Sequence, residues 1–339
     1  MLAYALRRLL LAVPLLLAVS LIVFAMVSAF PGDPCLVKLG QRATAPALEA
    51  CRAELGLDQP WPARYADFLG RALRLDFGTD FFTGEPVGTV MAQKFAATIE
   101  LSACALLLAV VLGTWLGTRS ALRPGGASDL LGQLLALGGT SIPVFWLGML
   151  LIVLFGVKLA WLPFTGWTAG EIGPGVPYRT GFLLLESLLR GEWAAVGRAL
   201  QHLLLPAAAL ATIPLAVITR MTRSAMLEEL GRDYVTTARA KGLPESQVVG
   251  RHVRRNALIP VLTVTGLQLG TLLSGAVLTE TIFAWPGMGT HLVNAATQRN
   301  YPVITASMLL FTTVFVLVNL VVDLLYHAID PRLRVARPR

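Results

Sequence analysis

Charged residues are scarce in this chain of 339 residues: Asp, Glu, Lys and Arg make up only 14% of it, while 55% of its residues are hydrophobic. A soluble globular protein has about 25% charged residues, because it needs them to keep its surface hydrated. The mean hydropathy of +0.67 is too high for a soluble enzyme of this length. The composition therefore indicates an integral membrane protein.

Signatures of catalysis and of metal binding are also missing from the sequence. The four histidines stand far apart, and the sequence has neither an H-E-x-x-H motif nor cysteine pairs at zinc spacing. It also has no G-x-x-x-x-G-K-[ST] phosphate loop. We expect no enzyme activity, no metal site and no cofactor in this chain, so any ATP hydrolysis belongs to another protein.

The net charge of +8 does not indicate a nucleic-acid partner. The basic residues are dispersed between apolar runs instead of being gathered on one basic domain, and membrane topology is the competing use of such residues. We expect membrane lipid, and no nucleic acid, around this protein.

Cysteine is rare, with three residues in the chain. Cys104 lies in an apolar run, whereas Cys35 and Cys51 share one polar segment. They could form a disulfide if that segment faces an oxidising compartment. Two separate free thiols fit the sequence equally well.

Six apolar runs are long enough to cross a membrane, which takes about 20 helical residues. The predicted spans are Leu9–Phe30, Thr98–Gly117, Leu131–Val157, Leu203–Thr219, Leu258–Phe283 and Val303–Tyr326. The first apolar run has 22 residues, more than the core of a signal peptide, and so predicts an uncleaved helix. The sequence thus predicts an all-α integral membrane protein with six transmembrane helices.

Proline and tryptophan residues predict where these spans are kinked and where they meet the lipid headgroups. Four prolines inside them predict kinks and no helix ends, because a helix bundle tolerates them: Pro14, Pro143, Pro206 and Pro214. Four tryptophans near span ends predict side chains in the headgroup layer: Trp146, Trp161, Trp167 and Trp285.

Basic residues set the expected orientation. With the N-terminus in the cytoplasm, the inner segments contain 16 Lys and Arg in 72 residues and the outer segments 12 in 131 residues. The inner segments are 1–8, 118–130, 220–257 and 327–339, and the outer ones are 31–97, 158–202 and 284–302. We therefore expect an N-terminal segment and first helix (1–30), an extracytoplasmic segment (31–97), a five-helix core (98–326) and a cytoplasmic tail (327–339). Both termini are then cytoplasmic.

The cytoplasmic segment 220–257 is too long and too well patterned for a plain connector. Leu227, Leu230, Tyr234 and Ala238 recur at helical spacing, which predicts one amphipathic helix outside the membrane. Gly242 predicts the end of that helix, and Pro244 the first position of a second one. An apolar stripe follows, formed by Val248, Val249, His252 and Val253. This helix, turn and helix could lie on lipid headgroups or fill a groove on a soluble partner.

A family resemblance decides between these alternatives. Asp233-Tyr234-Val235-Thr236-Thr237-Ala238-Arg239-Ala240-Lys241-Gly242-Leu243, followed by Arg255-Asn256-Ala257-Leu258-Ile259-Pro260, resembles the EAA loop of ABC importer permeases in its peptide-transporter form. The general motif has an acid and an alanine where this chain has Thr236 and Thr237. Ala238 and Gly242 match it.

Five further motifs resemble the peptide/nickel branch of these permeases, in order and spacing. They are Pro31-Gly32-Asp33-Pro34, Leu55-Gly56-Leu57-Asp58-Gln59-Pro60, Arg220-Met221-Thr222-Arg223-Ser224, Leu278-Thr279-Glu280-Thr281-Ile282-Phe283-Ala284-Trp285-Pro286-Gly287 and Asp330-Pro331-Arg332. The resemblance covers most of the chain.

The resemblance implies a type I importer permease fold with cytoplasmic coupling helices in a bacterial inner membrane. It also implies four partner chains: a homologous second permease chain, two cytoplasmic ATPases that bind ATP and magnesium, and an extracytoplasmic peptide-binding protein. The 220–257 loop would dock in an ATPase cleft. Its expected contact residues are Tyr234 and Ala238 on the docked face, Arg239 and Lys241 as partners of ATPase acids, Gly242 at the bend, and Leu243 and Pro244 at the start of the next segment.

The cargo stays open at this point. Dipeptides or short peptides fit the resemblance, and oligopeptides, nickel and haem are alternatives in the same branch. A proton-coupled secondary carrier is a further alternative, with Glu100, Glu280 or Asp323 as its relay. For the substrate path we expect Gln268 and Thr271, which with Ser274 lie roughly on one face of the fifth span.

Overall fold

The structure is a computed structural model, and it describes residues 2–29, 32–167 and 180–329, which are mainly helical. Membrane helices are favoured because lipid offers no hydrogen-bond partner to the backbone. The motif at 330–332 and most of the predicted tail lie outside the described residues, as do the side chains of Ser274 and Asp323.

Six helical segments account for the predicted spans. They are α1 (Leu2–Ala29), α5 (Val87–Leu122), the pair α6 (Ala127–Ser141) and α7 (Val144–Leu151), α9 (Trp193–Leu230), α12 (Arg254–Ile282) and α14 (Tyr301–Ile329). Within the described residues, five single helices are long and apolar enough to cross a membrane, and the α6–α7 pair makes a sixth candidate. The prediction of an all-α fold is confirmed, and the six predicted spans correspond to these five helices and the bent pair. The helices are longer than the predicted spans; α5 begins at Val87, inside the segment 31–97 that was expected to be extracytoplasmic.

Shorter helices join these spans. They are α2 (Pro34–Leu39), α3 (Ala45–Glu54), α4 (Trp61–Leu73), α8 (Leu183–Arg190), α10 (Asp233–Ala240), α11 (Glu245–Gln247) and α13 (Met288–Gln298). Two π-helical turns extend their neighbours: Ile152–Lys158 continues α7, and Val248–Val253 joins α11 to α12. By alternation of the spans, α10 and α11 lie on one side of the bundle, here called the loop side. The helices α2, α3, α4, α8 and α13 lie on the opposite, outer side.

The predicted kink at Pro143 is wrong, because the helix ends there. The axes of α6 and α7 meet at 108°. Proline has no amide hydrogen, and its ring pushes the preceding residue out of the helical region; Ile142 is extended, with ψ 124°. Pro14, Pro206 and Pro214 lie inside continuous helices and end none, as predicted; the kinks predicted at these positions stay a prediction.

Close packing of α5 against α9 forms the centre of the bundle. A Cβ atom on Gly117 would lie only 2.7 Å from the carbonyl oxygen of Thr219, and one on Gly113 would lie 2.9 Å from the Ile218 side chain. These glycines therefore let two helices approach almost backbone to backbone, as small residues do in membrane proteins. Leu101, Ala105 and Ala109 extend the same buried seam.

Glu280 is fully buried and joins three helices on the outer side. Its carboxylate accepts hydrogen bonds from the Thr98 hydroxyl of α5 at 2.6 Å and from the Gly289 and Thr290 amides at 2.7 and 3.2 Å. Those amides belong to the first turn of α13, where unpaired N–H groups and the helix dipole favour a negative charge. The Thr98 hydroxyl in turn accepts from the Met288 amide at 2.8 Å.

Glu100 binds the amino end of α8 in the same way. Its carboxylate accepts from the amides of Leu183, Leu184 and Leu185 at 3.1, 2.7 and 3.2 Å. Both buried acids therefore hold the amino end of a short outer helix against α5.

Trp285 does not lie in the headgroup layer, and that prediction is wrong. Its side chain is 0% exposed, and its indole Nε1 donates to the Ala97 carbonyl oxygen at 3.0 Å. The chain turns back after α12, which carries the ring into the bundle. Trp146 and Trp161 are exposed, at 47% and 67%, and their position in the headgroup layer stays a prediction.

The outer segment after α1 is closed by a disulfide between Cys35 and Cys51, whose Cα atoms are 5.8 Å apart. Asp33 caps α2 through the Cys35 amide at 2.9 Å. Arg52 donates to the same carboxylate, and this hydrogen bond lowers the pKa of Asp33. The disulfide decides between the two alternatives that the sequence left open.

Helix α4 packs on the first span. The Phe24 ring of α1 lies 5.2, 5.5 and 5.3 Å from the rings of Trp61, Tyr65 and Phe68. The apolar face of the outer segment is thus used for packing within the chain.

Thiol labelling tests the disulfide. We expect one reactive thiol, that of Cys104, in the denatured, unreduced protein and three after reduction, because Cys104 is the one free cysteine. Maleimide labelling followed by mass spectrometry gives the count; three thiols without reduction would contradict the pairing.

Substitution Glu280→Ala tests the buried carboxylate. It leaves two amides and one hydroxyl without their acceptor, which costs about 2–4 kcal/mol of folding free energy. The apparent melting temperature in detergent should fall markedly. Glu49→Ala, an exposed acid in α3, is the matched control and should change nothing; an equal loss in both variants would refute the assignment.

Candidate functional site

The segment between α9 and α12, residues 231–253, forms a compact element that we call the coupling loop. The single amphipathic helix predicted over Leu227 to Ala238 is wrong, because α9 ends at Leu230. The next helix begins at Asp233, after Arg232 adopts an extended conformation with ψ 147°. The helical spacing of the apolar residues continues across this break, so the pattern could not reveal it.

Gly242 ends α10, as predicted. Its φ is +77°, a left-handed conformation that glycine adopts without steric cost. The amides of Gly242 and Leu243 donate to the carbonyls of Arg239 and Ala238, which closes the turn. Pro244 was predicted to be the first residue of the second helix. It is instead the N-cap residue, directly before α11 begins at Glu245.

A small apolar core holds the coupling loop together. Val235 of α10 is fully buried against Val248 and Val253 of the π-helical turn, together with Met226 of α9. The predicted order of a helix, a turn and a second helix is found, with the first helix confined to Asp233–Ala240. Because this core includes residues of α9 and α12, the loop is fixed to the ends of two spans.

Part of the face that was predicted to dock on an ATPase is buried within the coupling loop. Ala238 is 8% exposed and belongs to the loop's own core. Tyr234 is half-buried. Its hydroxyl donates to the Glu229 carboxylate and accepts from the side-chain amide of Asn256 at 3.3 Å. The exposed residues on α10 and the turn, which form the surface left to a partner, are Asp233, Thr236, Thr237, Arg239, Ala240, Lys241 and Gly242.

Arg239 already has a partner within the loop. Its guanidinium donates to the Glu245 carboxylate at 3.1 and 2.6 Å, which bridges α10 and α11 and raises the pKa of Arg239. Such an exposed pair contributes little to stability. An acid on a partner protein would therefore compete with Glu245 for Arg239, whereas Lys241 is exposed without an ion pair among the described residues.

An ion pair next to the loop was not found by sequence reasoning. Asp129, 2% exposed at the start of α6, accepts from Arg223 of α9 at 2.7 and 3.0 Å and from the Gly125 amide at 2.9 Å. It ties α6 to α9 about two turns before the coupling loop. Arg223 stands in a motif quoted above, but nothing in the sequence singles out Asp129 as its partner.

Gln268 and Thr271 lie in a groove of about 300 Å³ at the break between α6 and α7. The groove is also lined by Val144, Phe145 and Pro214. The Thr271 hydroxyl donates to the Gln268 carbonyl at 2.8 Å. The two predicted path residues, which lie three positions apart on α12, thus line a groove beside the 108° break between α6 and α7.

Comparison with known proteins identifies this architecture. Residues 109–335 match the family described as "Binding-protein-dependent transport system inner membrane component", and residues 1–102 match the corresponding N-terminal family. The chain belongs to this family. It is therefore a multi-pass inner-membrane component of a transport system that has other subunits.

Curated relatives match over nearly the full length. The chain is 47% identical to the "Di/tripeptide transport system permease protein DppB" of Pseudomonas aeruginosa, over 98% of this chain and 99% of the relative. It is 44% identical to the "Dipeptide transport system permease protein DppB" of Escherichia coli K12, with the same coverage. It is 41% identical to the "Glutathione transport system permease protein GsiC" of Pectobacterium atrosepticum, again over 98% and 99%.

Substitution Gly242→Val tests the bend. A Cβ at Gly242 meets no atom within 4 Å, so the cost is the backbone strain of a β-branched residue at positive φ, about 1–2 kcal/mol. Amide hydrogen exchange in residues 233–247 should accelerate. Gly242→Asn should exchange like wild type, since asparagine tolerates this conformation, and so should Gly250→Val, at an exposed glycine without positive φ. Equal exchange in all variants would show that the bend does not need glycine.

Proposed function

We propose that this chain is the permease subunit of an ATP-driven importer that moves dipeptides or other short peptides into the cytoplasm. The observation that carries the proposal is the match, over nearly the whole chain, to permeases named for dipeptides, di/tripeptides and glutathione. All three names describe short peptides. Nickel and haem cargoes have no comparable support among these relatives.

The other subunits follow from the same proposal. A homologous permease chain completes the pathway, two cytoplasmic ATPases bind ATP and magnesium, and an extracytoplasmic binding protein delivers the peptide. The chain itself then has no catalytic role. The coupling loop, with Lys241 and Gly242 exposed on it, is the surface offered to the ATPases.

Force from the ATPases can reach the bundle along a continuous path. The core of the coupling loop includes Met226 of α9 and Ala257 of α12, so a displacement of α10 acts on both spans at once. Helix α9 runs without a break from Trp193 to Leu230 and carries Arg223, which holds Asp129 of α6. Gln268 and Thr271 lie where α12, α9 and the α6–α7 break meet. A rigid displacement of the loop would therefore change the width of that groove.

The proposed orientation places both termini and the coupling loop in the cytoplasm. The disulfide side of the bundle then faces the oxidising compartment in which such bonds persist. The proposal thus uses two independent features, the density of basic residues and the Cys35–Cys51 bond.

A proton-coupled carrier is not favoured. Such a carrier needs an acid that releases and binds protons during transport, whereas the carboxylates of Glu100 and Glu280 are held by the backbone amides of α8 and α13. Each of the three relatives quoted above is named as the permease protein of a transport system, and none is named as a proton-coupled carrier.

Reconstitution tests the function. The chain, purified gently with the products of neighbouring genes and placed in sealed vesicles, should take up labelled dipeptide only with ATP and the binding protein. Uptake driven by a pH gradient without ATP would overturn the proposal, as would copurification without any P-loop ATPase.

The same assay tests coupling. Gly242→Val should reduce peptide uptake at least tenfold while ATP hydrolysis continues, whereas Gly242→Asn and Gly250→Val should keep both activities. Unchanged uptake in the valine variant at position 242 would exclude the bend from force transmission.

A further inference from the structure

A groove of about 460 Å³ lies between α5 and α12 on the loop side of the bundle, away from Gln268 and Thr271. It is lined by Thr114, Trp115, Thr118 and Arg119 of α5 and by Arg254 and Leu258 of α12. Neither the transport path nor the coupling loop's contact surface uses these side chains.

The charge in this groove is uncompensated. Arg119 and Arg254 are both exposed, no acid is among the groove's lining residues, and neither guanidinium forms an ion pair within the described part of the chain. The acids close by in sequence are engaged elsewhere, since Asp129 holds Arg223 and Glu245 holds Arg239. The chemistry that complements two free guanidinium groups is an anion with several oxygens, such as a phosphate.

An aromatic ring and an apolar surface adjoin the two cations. The Arg119 guanidinium lies over the Trp115 ring, 5.4 Å from its centroid, and Trp115 is 54% exposed. A tryptophan beside basic residues at the end of a span is typical of the membrane–water boundary. Val111 and Leu107 lie four and eight residues before Trp115, towards the middle of α5. They are exposed and share its face of the helix.

We propose that this groove binds an anionic phospholipid, with its phosphate between Arg119 and Arg254 and an acyl chain along Trp115, Val111 and Leu107. Free phosphate would use the two guanidinium groups but not the apolar stripe. A second protein chain seated here would have to bring its own acids to the groove. Two cations in one groove suit the phosphate of a lipid, the exposed tryptophan suits its headgroup region, and the apolar stripe suits an acyl chain.

The site adjoins the coupling loop. Arg254 is the first residue of α12 and directly follows the π-helical turn Val248–Val253, which packs in the loop's core. A lipid held by Arg254 therefore anchors the base of the loop to the membrane surface.

Lipid binding to the full-length chain tests the proposal. Detergent-purified protein is titrated with phosphatidylglycerol or phosphatidylcholine, and bound lipid is counted by native mass spectrometry. Wild type should prefer phosphatidylglycerol, and inorganic phosphate should not displace it. The double variant Arg119→Gln/Arg254→Gln should bind phosphatidylglycerol roughly 10- to 30-fold more weakly, the effect expected from removing two basic residues at a membrane surface.

The matched control is Arg123→Gln/Arg255→Gln. These arginines are exposed, lie next to the same helix ends and change the net charge equally, but they do not line the groove. The control should bind like wild type. An equal loss in both double variants would mean diffuse surface charge and would overturn the site, and so would displacement of the lipid by inorganic phosphate.

Fluorescence locates the lipid without disturbing the arginines. Phosphatidylglycerol with brominated acyl chains should quench the tryptophan emission of wild type more than that of Trp115→Phe. Equal quenching would place the lipid elsewhere. Crosslinking from position 115 to a second permease chain in the assembled transporter, in place of lipid, would assign the groove to a protein interface and overturn the proposal.

Discussion

The contact between α5 and α9 is the constraint on which the rest of the bundle depends. At Gly113 and Gly117 the two helices approach so closely that a methyl group would meet a backbone oxygen or a packed side chain. Lipid gives no hydrophobic drive for helices to associate, so close contact and hydrogen bonds must hold the bundle together. Helices α6, α7, α12 and α14 pack on one or both members of this pair, and α1 packs on α14. Thr98 and Glu100 of α5 also fix the outer helices α13 and α8.

This close-packed centre holds structural elements in place on both sides of the membrane. Glu100 and Glu280 bind the amino ends of α8 and α13 on the outer side, while Asp129 and Arg223 lock α6 to α9 on the loop side. Each end is therefore fastened to a helix that crosses the bundle. Between these two fastened ends lies the α6–α7 break, where the helix axes meet at 108° beside the groove lined by Gln268 and Thr271.

Sequence periodicity predicted the existence of helices better than their ends. The spacing of Leu227, Leu230, Tyr234 and Ala238 continues across Gly231, so one helix and two helices give the same pattern. Pro143 and Pro214 look alike in the sequence, yet only Pro143 ends a helix, and Pro214 lies inside α9. Packing decides between these outcomes, because neighbouring helices can hold a proline-containing helix straight or let it break.

By itself, the sequence determined that the chain spans a membrane, how many spans it has, and where glycine must bend the coupling loop. These properties depend on the apolar length and backbone freedom of residues close together in the chain. Only the tertiary structure decided that Trp285 and Ala238 face inward, that Cys35 pairs with Cys51, and that Asp129 meets Arg223. Those contacts join residues distant in sequence, and they form only when the packing of whole helices brings the partners within reach.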